Sequence, residues 1–307
     1  MEEQLLPLAE LEPAYEKAVW LYVFRDFSGD ARDRHDERVA LRFGFSSYPQ
    51  HKLVHPETFA ILDDTGRSVE SFLAAVGRTR VEVSDTHDAA AALRAAEERA
   101  QRLEERPGVK AAEAALDDDD VVVRLRALEI LAAEKPEAIV ARAPRLLAVE
   151  NDGVRYAACR ALAAAGGTSA ARPLEALLAT PGATLNPNVL RMHAVQALAR
   201  CGDAASVEAL APFADRAEWR NALTRAVVTA LVEIAGRERG TRDRVRELLV
   251  GTLPDPQEDE RMQRIAVALA RHVHDALGTL TGRRVDFPGT YDAEGLAALR
   301  RAWERAR

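Results

Sequence analysis

The chain has 307 residues, 48% of them hydrophobic and 30% charged, enough for one short domain and an extended array, or for two domains. A net charge of -7 argues against a broad phosphate-binding face, because nucleic-acid affinity is dominated by Lys and Arg that neutralise phosphates. Cys159 and Cys201 form no CxxC, which argues against a disulfide framework or a zinc site. The acidic start, Met1-Glu2-Glu3-Gln4, does not suit a signal peptide, and no apolar run reaches the roughly 20 residues that span a bilayer. A cytoplasmic, non-membrane protein is expected.

In chain order, Ala18 to Phe24 is a continuous apolar run of aromatic and branched residues and predicts a strand covered on both faces. A short helix is expected over Glu37 to Phe43, an extended piece over Gln50 to Val54, and a further strand over Phe59 to Leu62. Asp63-Asp64-Thr65-Gly66 reads as a tight turn, and Ser68 to Val76 as a helix with Val69, Phe72, Leu73 and Val76 on one face. These elements describe a small α/β unit. Ala89 to Glu105 is then an Ala-rich, highly charged helix that Arg106-Pro107-Gly108 ends.

Beyond it the sequence repeats itself. Val123-Arg124-x-x-Ala127-x-x-Ile130-Leu131, Val154-Arg155-x-x-Ala158-x-x-Ala161-Leu162 and Leu190-Arg191-x-x-Ala194-x-x-Ala197-Leu198 share one template, with arginines 31 and then 36 residues apart. That spacing is one helical hairpin. Each copy follows a turn with acidic or amide residues, Asp117 to Asp120, Asn151-Asp152 and Asn186-Pro187-Asn188, placed where a helix cap is wanted. Further amphipathic helices are expected over Glu137 to Val149, Ser169 to Ala179 and Ala204 to Ala214. Looser copies follow at Glu218 to Ala235 with Thr241 to Leu253, and at Glu258 to Leu277. The count is five hairpins or part-hairpins.

The template resembles bacterial HEAT repeats, in which an Asp or Asn turn, a Val-Arg pair and a spaced Ala-Ala-Leu helix recur. The resemblance implies an α-solenoid whose concave helices bind a protein partner. It also implies that the turn acids and template arginines of successive units pair, giving Asp120, Asp152, Arg124, Arg155 and Arg191 structural roles. Phe43-Gly44-Phe45-Ser46-Ser47-Tyr48-Pro49 is similar to the thioredoxin-fold stretch before a cis-proline, with Tyr48-Pro49 as that bond. The match departs from thioredoxins where their chemistry lies, since residues 1 to 158 contain no cysteine and thiol exchange needs a thiolate.

The tail, from Gly278 to a final helix bearing Trp303, is similar to tails that close bacterial HEAT arrays, which makes Trp303 a packing anchor. His272 and His274 lie two apart on a helix and point to different faces, so they do not form a metal pair. Asp117 to Asp120 lack the glycine turn and distal glutamate of an EF-hand loop. No P-loop, Rossmann fingerprint, HExxH or GxSxG run is present, and there is no His-Glu dipeptide of the kind carried by the HEAT-type lysine-modifying hydroxylase. Trp219, near Arg216, Arg220 and Arg225, is the one hint of a nucleic-acid groove.

The expected architecture is therefore mainly α: a thioredoxin-like α/β domain over residues 1–87, a linking helix over 88–108, a HEAT array over 109–278 and a capping tail over 279–307. The expected function is a non-catalytic scaffold or adaptor that binds a protein partner, with no cofactor and no metal. The candidate structural or interaction residues are Tyr48, Pro49, Arg124, Arg155, Arg191 and Trp219. The alternative is a redox or chaperone protein of thioredoxin type whose cysteine-bearing segment is missing from this chain.

Overall fold

The structure is a computed structural model that describes residues 52–55, 61–64, 68–80, 89–149, 151–180, 187–214 and 222–306. The strand expected over Ala18 to Phe24, the helix over Glu37 to Phe43, and Tyr48, Pro49 and Trp219 lie outside them. The chain divides into two compact units, Met1–Ala127 and Leu128–Arg307.

In the first unit, strands β1 (Lys52–Val54) and β2 (Ile61–Asp64) pair antiparallel, with Leu53 opposite Asp63. Asp63 and Asp64 are thus strand residues, where the sequence suggested a turn. The backbone ladder decides it, with Asp64 opposite Lys52 and Asp63 opposite Leu53, and Arg78 of the following helix donates to the Asp63 carboxylate at 2.8 Å. That helix, α1 (Val69–Arg78), starts at Ser68 in a capping box with Ser71, which satisfies two backbone donors left over at a helix start. Phe72 is buried, with Val69, Leu73 and Val76 packed against it, the apolar face read from the sequence.

Helix α2 (Ala89–Glu105) ends before Pro107, and α3 (Val109–Ala115) follows. Asp120 accepts from the Val122 and Val123 amides and so caps α4 (Val121–Glu134), the role expected of this acidic turn.

The second unit is built of two layers. Helices α5 (Glu137–Leu147), α7 (Gly167–Ala179) and α9 (Ala204–Leu210) alternate in sequence with α6 (Asp152–Ala165), α8 (Pro187–Cys201) and α10 (Ala222–Arg237). The alternation continues through α11 (Arg242–Thr252), α12 (Glu260–Thr281) and α13 (Ala293–Arg305). Helices α6, α8, α10 and α12 pack each on the next, α5, α7 and α9 form a second row, and hairpin partners such as α7 and α8 join the rows. This is a solenoid-like arrangement, and the template explains it. Ala158, Leu162, Ala194, Leu198, Val227 and Leu231 are all fully buried, and alanine at every second contact lets neighbouring helix axes approach closely.

The turns are fixed locally. Asn151 caps α6 by accepting from the Val154 amide, while Gly166 and Gly167, with φ of 69° and 73°, make the left-handed turn into α7. Beyond Leu210 the chain tightens into a 3₁₀ turn, Ala211–Ala214, instead of continuing as α-helix to Ala214 as expected. Pro212 has no amide to donate to an α-helical ladder there.

Candidate functional site

The template arginines act as fasteners between helices. Arg155, 3% exposed, donates from Nε to the Leu147 carbonyl at the end of α5 (3.0 Å) and from a terminal nitrogen to Asp152 of its own unit (3.2 Å). Arg191 repeats the first contact, donating from Nε to the Leu178 carbonyl near the end of α7 (3.1 Å), and its guanidinium lies over the Phe213 ring at 5.3 Å. In both cases a cation satisfies a carbonyl in the last turn of the preceding helix, where the helix dipole favours positive charge. Arg124 reaches the Asp119 carbonyl at 3.1 Å, while its Nε is buried without a partner.

A ladder of charges between successive units lies in the other row. Arg172 of α7 pairs with both Glu175 and Asp203, the N-cap of α9, and the Ser206 hydroxyl of α9 donates back to Glu175. Burial opposes ionisation of Asp203, yet Arg172 and the Ser206 and Ala205 amides hold its carboxyl below the usual range. One unit further on, Arg244 of α11 grips Glu208 of α9 with two hydrogen bonds, 2.9 and 3.1 Å.

Helices α6, α8, α10 and α12 each turn one stripe at three- and four-residue spacing away from the core, with Tyr156, His193 and His272 half-buried and the rest of it exposed. It runs through Tyr156 and Arg160, then His193, Gln196 and Arg200, then Arg225, Thr229 and Glu233, then Ala268, His272 and Asp275. Neighbouring stripes touch. The Tyr156 and His193 rings stack at 4.3 Å, and His272 Nε2 lies 3.3 Å from both the Thr229 hydroxyl and the Arg225 carbonyl. Burial, with Asp152 adding to it, pushes the Tyr156 phenol up to about 12, and burial together with nearby Arg160 lowers the His193 pKa. The stack is therefore an uncharged pair at neutral pH, edged by arginine.

The tail closes the last unit. Trp303 is fully buried and donates from Nε1 to His274 Nδ1 at 3.2 Å, Phe287 stacks on Tyr291, and Arg271 lies over Phe287 at 4.5 Å. The Tyr291 hydroxyl donates to the Pro254 carbonyl at 2.6 Å, and Arg300 donates to that of Leu253. Every polar end in this cluster is engaged in packing. Trp303 takes the anchoring place its sequence position suggested.

Other chemistry has little foothold among the described residues. No group of three or more His, Cys, Asp or Glu converges there. Burial pushes the Cys159 and Cys201 thiols up to about 12 and about 11, which leaves no appreciable thiolate near neutral pH. A shallow cleft of about 680 Å³ in the first unit is edged by Arg99, Arg102 and Arg106, but Arg99 is already taken by two bonds to Asp118 at 2.9 and 3.0 Å. No helix among the described residues is long and apolar enough to cross a membrane.

Residues 109–186 match the family of HEAT repeats. The chain carries a HEAT-repeat region. The match begins where the linking helix ends and covers the first two complete template copies, through α7. Neither the curated proteins nor the solved structures give a significant match. HEAT repeats are in general protein-interaction motifs, so the exposed stripes of the array are the surface of interest.

Of the six residues singled out from the sequence, Arg124, Arg155 and Arg191 are turned toward backbone carbonyls, and the other three fall outside the described residues. The exposed stripe was missed because it occupies the variable positions of the template. The signal was present, since the fifth residue after each template arginine, Glu129, Arg160 and Gln196, is polar and falls in register with it.

Proposed function

We propose that this protein is a non-catalytic scaffold or adaptor that binds a protein partner through its HEAT-type array. The observation that carries the reading is the division of labour among polar groups. The template arginines, the Arg172 and Arg244 pairs and the tail aromatics are engaged within the fold, whereas Arg160, Arg200, Arg225 and Glu233 of the stripe are exposed and enter no ion pair among the described residues. A continuous row of helices offers an extended face for a partner rather than an enclosing pocket for a small substrate.

Two further parts belong to this reading. A cytoplasmic setting suits two buried, unpaired thiols. A thioredoxin-like first domain is kept within the proposal, and β1, β2 and α1 follow the order it calls for, an antiparallel strand pair and then an amphipathic helix.

Site-specific photo-crosslinking on the full chain tests the proposal. A crosslinker is placed at Gln196 or Thr229 on one row, and at Ala176 or Glu247 on the other, and irradiated in extract of the native cell. Discrete adducts with the same protein from at least one row are expected. Absence of any protein adduct from all four positions overturns the adaptor reading.

A further inference from the structure

Across the exposed stripe, charge is distributed unevenly. Helix α8 contains no acidic residue at all, and the stripe on α6, α8 and α10 presents Arg160, Arg200 and Arg225 against Glu233 and, at the start of α6, Asp152, which Arg155 already holds. The protein as a whole carries a charge of -7, so this face runs against the overall sign. None of the three arginines has a carboxylate within ion-pair reach among the described residues, in contrast to Arg99, Arg155, Arg172 and Arg244. Between them lie the Tyr156–His193 stack and the amide and hydroxyl of Gln196 and Thr229.

We propose that this face is the docking surface for an extended acidic segment of a partner protein, whose carboxylates pair with Arg160, Arg200 and Arg225 and whose backbone crosses Gln196 and Thr229. The inference rests on the adaptor reading and names the chemistry of its partner. Guanidinium forks match carboxylates in two-point geometry, and unpaired arginines on adjacent helices supply several such points across one face. Gln196 and Thr229 carry both donors and acceptors, as an extended peptide backbone requires. The aromatic surface does not favour nucleic acid. Tyr156 is already stacked on His193 rather than standing free as a platform for bases.

The test uses the full chain and a short fluorescein-labelled peptide of alternating glutamate and alanine, read by anisotropy. A matched glutamine-alanine peptide and a short single-stranded oligonucleotide serve for comparison. The acidic peptide is expected to bind, more weakly as salt rises, and the glutamine peptide not to bind. The variant R160E/R200E/R225E should lose about tenfold or more in affinity, while R239E/R284E/R301E, which reverses three exposed arginines elsewhere, should retain it. Should the charge reversal disturb folding, R160Q/R200Q/R225Q reads the same loss without introducing repulsion.

Equal loss in both triple variants, no binding of the acidic peptide, or tighter binding of the oligonucleotide overturns the proposal. Its failure is distinguishable from that of the adaptor reading. A partner crosslinked only from Ala176 or Glu247 leaves the protein an adaptor and removes this face from the interaction, whereas no partner from any position removes the adaptor itself.

Discussion

At the residue scale, Arg155 shows how a charge becomes part of a core. It is the one charged side chain in the buried class among the described residues, and its polar atoms are directed to the Leu147 carbonyl and Asp152. Burying a guanidinium is costly unless its donors are satisfied, and truncating it strands the groups it served. Arg155→Ala is therefore expected to cost about 3 kcal/mol. Arg191→Ala, at a half-buried site with one carbonyl contact and a ring beneath, should cost about 1 kcal/mol. Urea unfolding of the two variants checks the ranking, and equal losses would contradict it. The same residues show what a repeat template conceals. The structural role of the arginines followed from the HEAT resemblance, and the contacts of Arg155 and Arg191 show how such a role is filled. Arg155 takes its own unit's Asp152 and a carbonyl of the helix before, whereas the carboxylate ladder between units runs through Arg172, Asp203, Glu208 and Arg244. Recurrence marks that a residue matters; the partner depends on reach across a hairpin, which spacing alone does not give.

At the element scale, the helices were legible wherever apolar periodicity was long, and the boundaries shifted where a non-local contact or a proline intervened. Backbone pairing with β1 keeps Asp63 and Asp64 in a strand, and beyond α9 the chain tightens into a 3₁₀ turn at Pro212; neither effect is carried by hydrophobic pattern. The approach of α8 to α10 was equally invisible, because it depends on an absent side chain. A Cβ at Gly202 would stand 2.6 Å from the Leu198 carbonyl oxygen and 2.9 Å from Ile234 Cδ1. The carbonyl belongs to the helix that must end there, so it cannot move aside as a flexible side chain would. Gly202→Ala should destabilise by about 2 kcal/mol through overpacking, despite alanine's better helix propensity. Gly236→Ala, whose added Cβ would meet nothing within 4 Å, is the control and should be neutral or slightly stabilising. Thermal denaturation of the two variants separates packing from propensity; a stabilised Gly202→Ala would show that α8 and α10 can part without cost.

At the scale of the whole molecule, the second unit couples through neighbours. Helix α6 packs on α8, α8 on α10 and α10 on α12, and the tail packs at the far end, through Trp303 on His274 of α12 and α13 on α11. In such an array, stability is close to a sum of unit terms and nearest-neighbour terms, so damage at one end spreads only as far as those couplings carry it. Trp303→Ala removes a fully buried side chain worth about 3–5 kcal/mol and orphans an acceptor on His274. Amide hydrogen exchange on the full chain should then rise strongly in α11, α12 and α13, modestly in α10, and little in α6 and α8. A uniform rise across α5 to α13 would mean that the unit unfolds as one cooperative block. That outcome would also change the view of the outward stripe, because a face built on independently stable neighbours can be altered at Arg160, Arg200 and Arg225 without loss of the scaffold, whereas a single block transmits every change at its end to the middle. The graded profile is what the packing order predicts, and it would leave α6, α8 and α10 as a platform whose partner preference is set by its exposed positions alone.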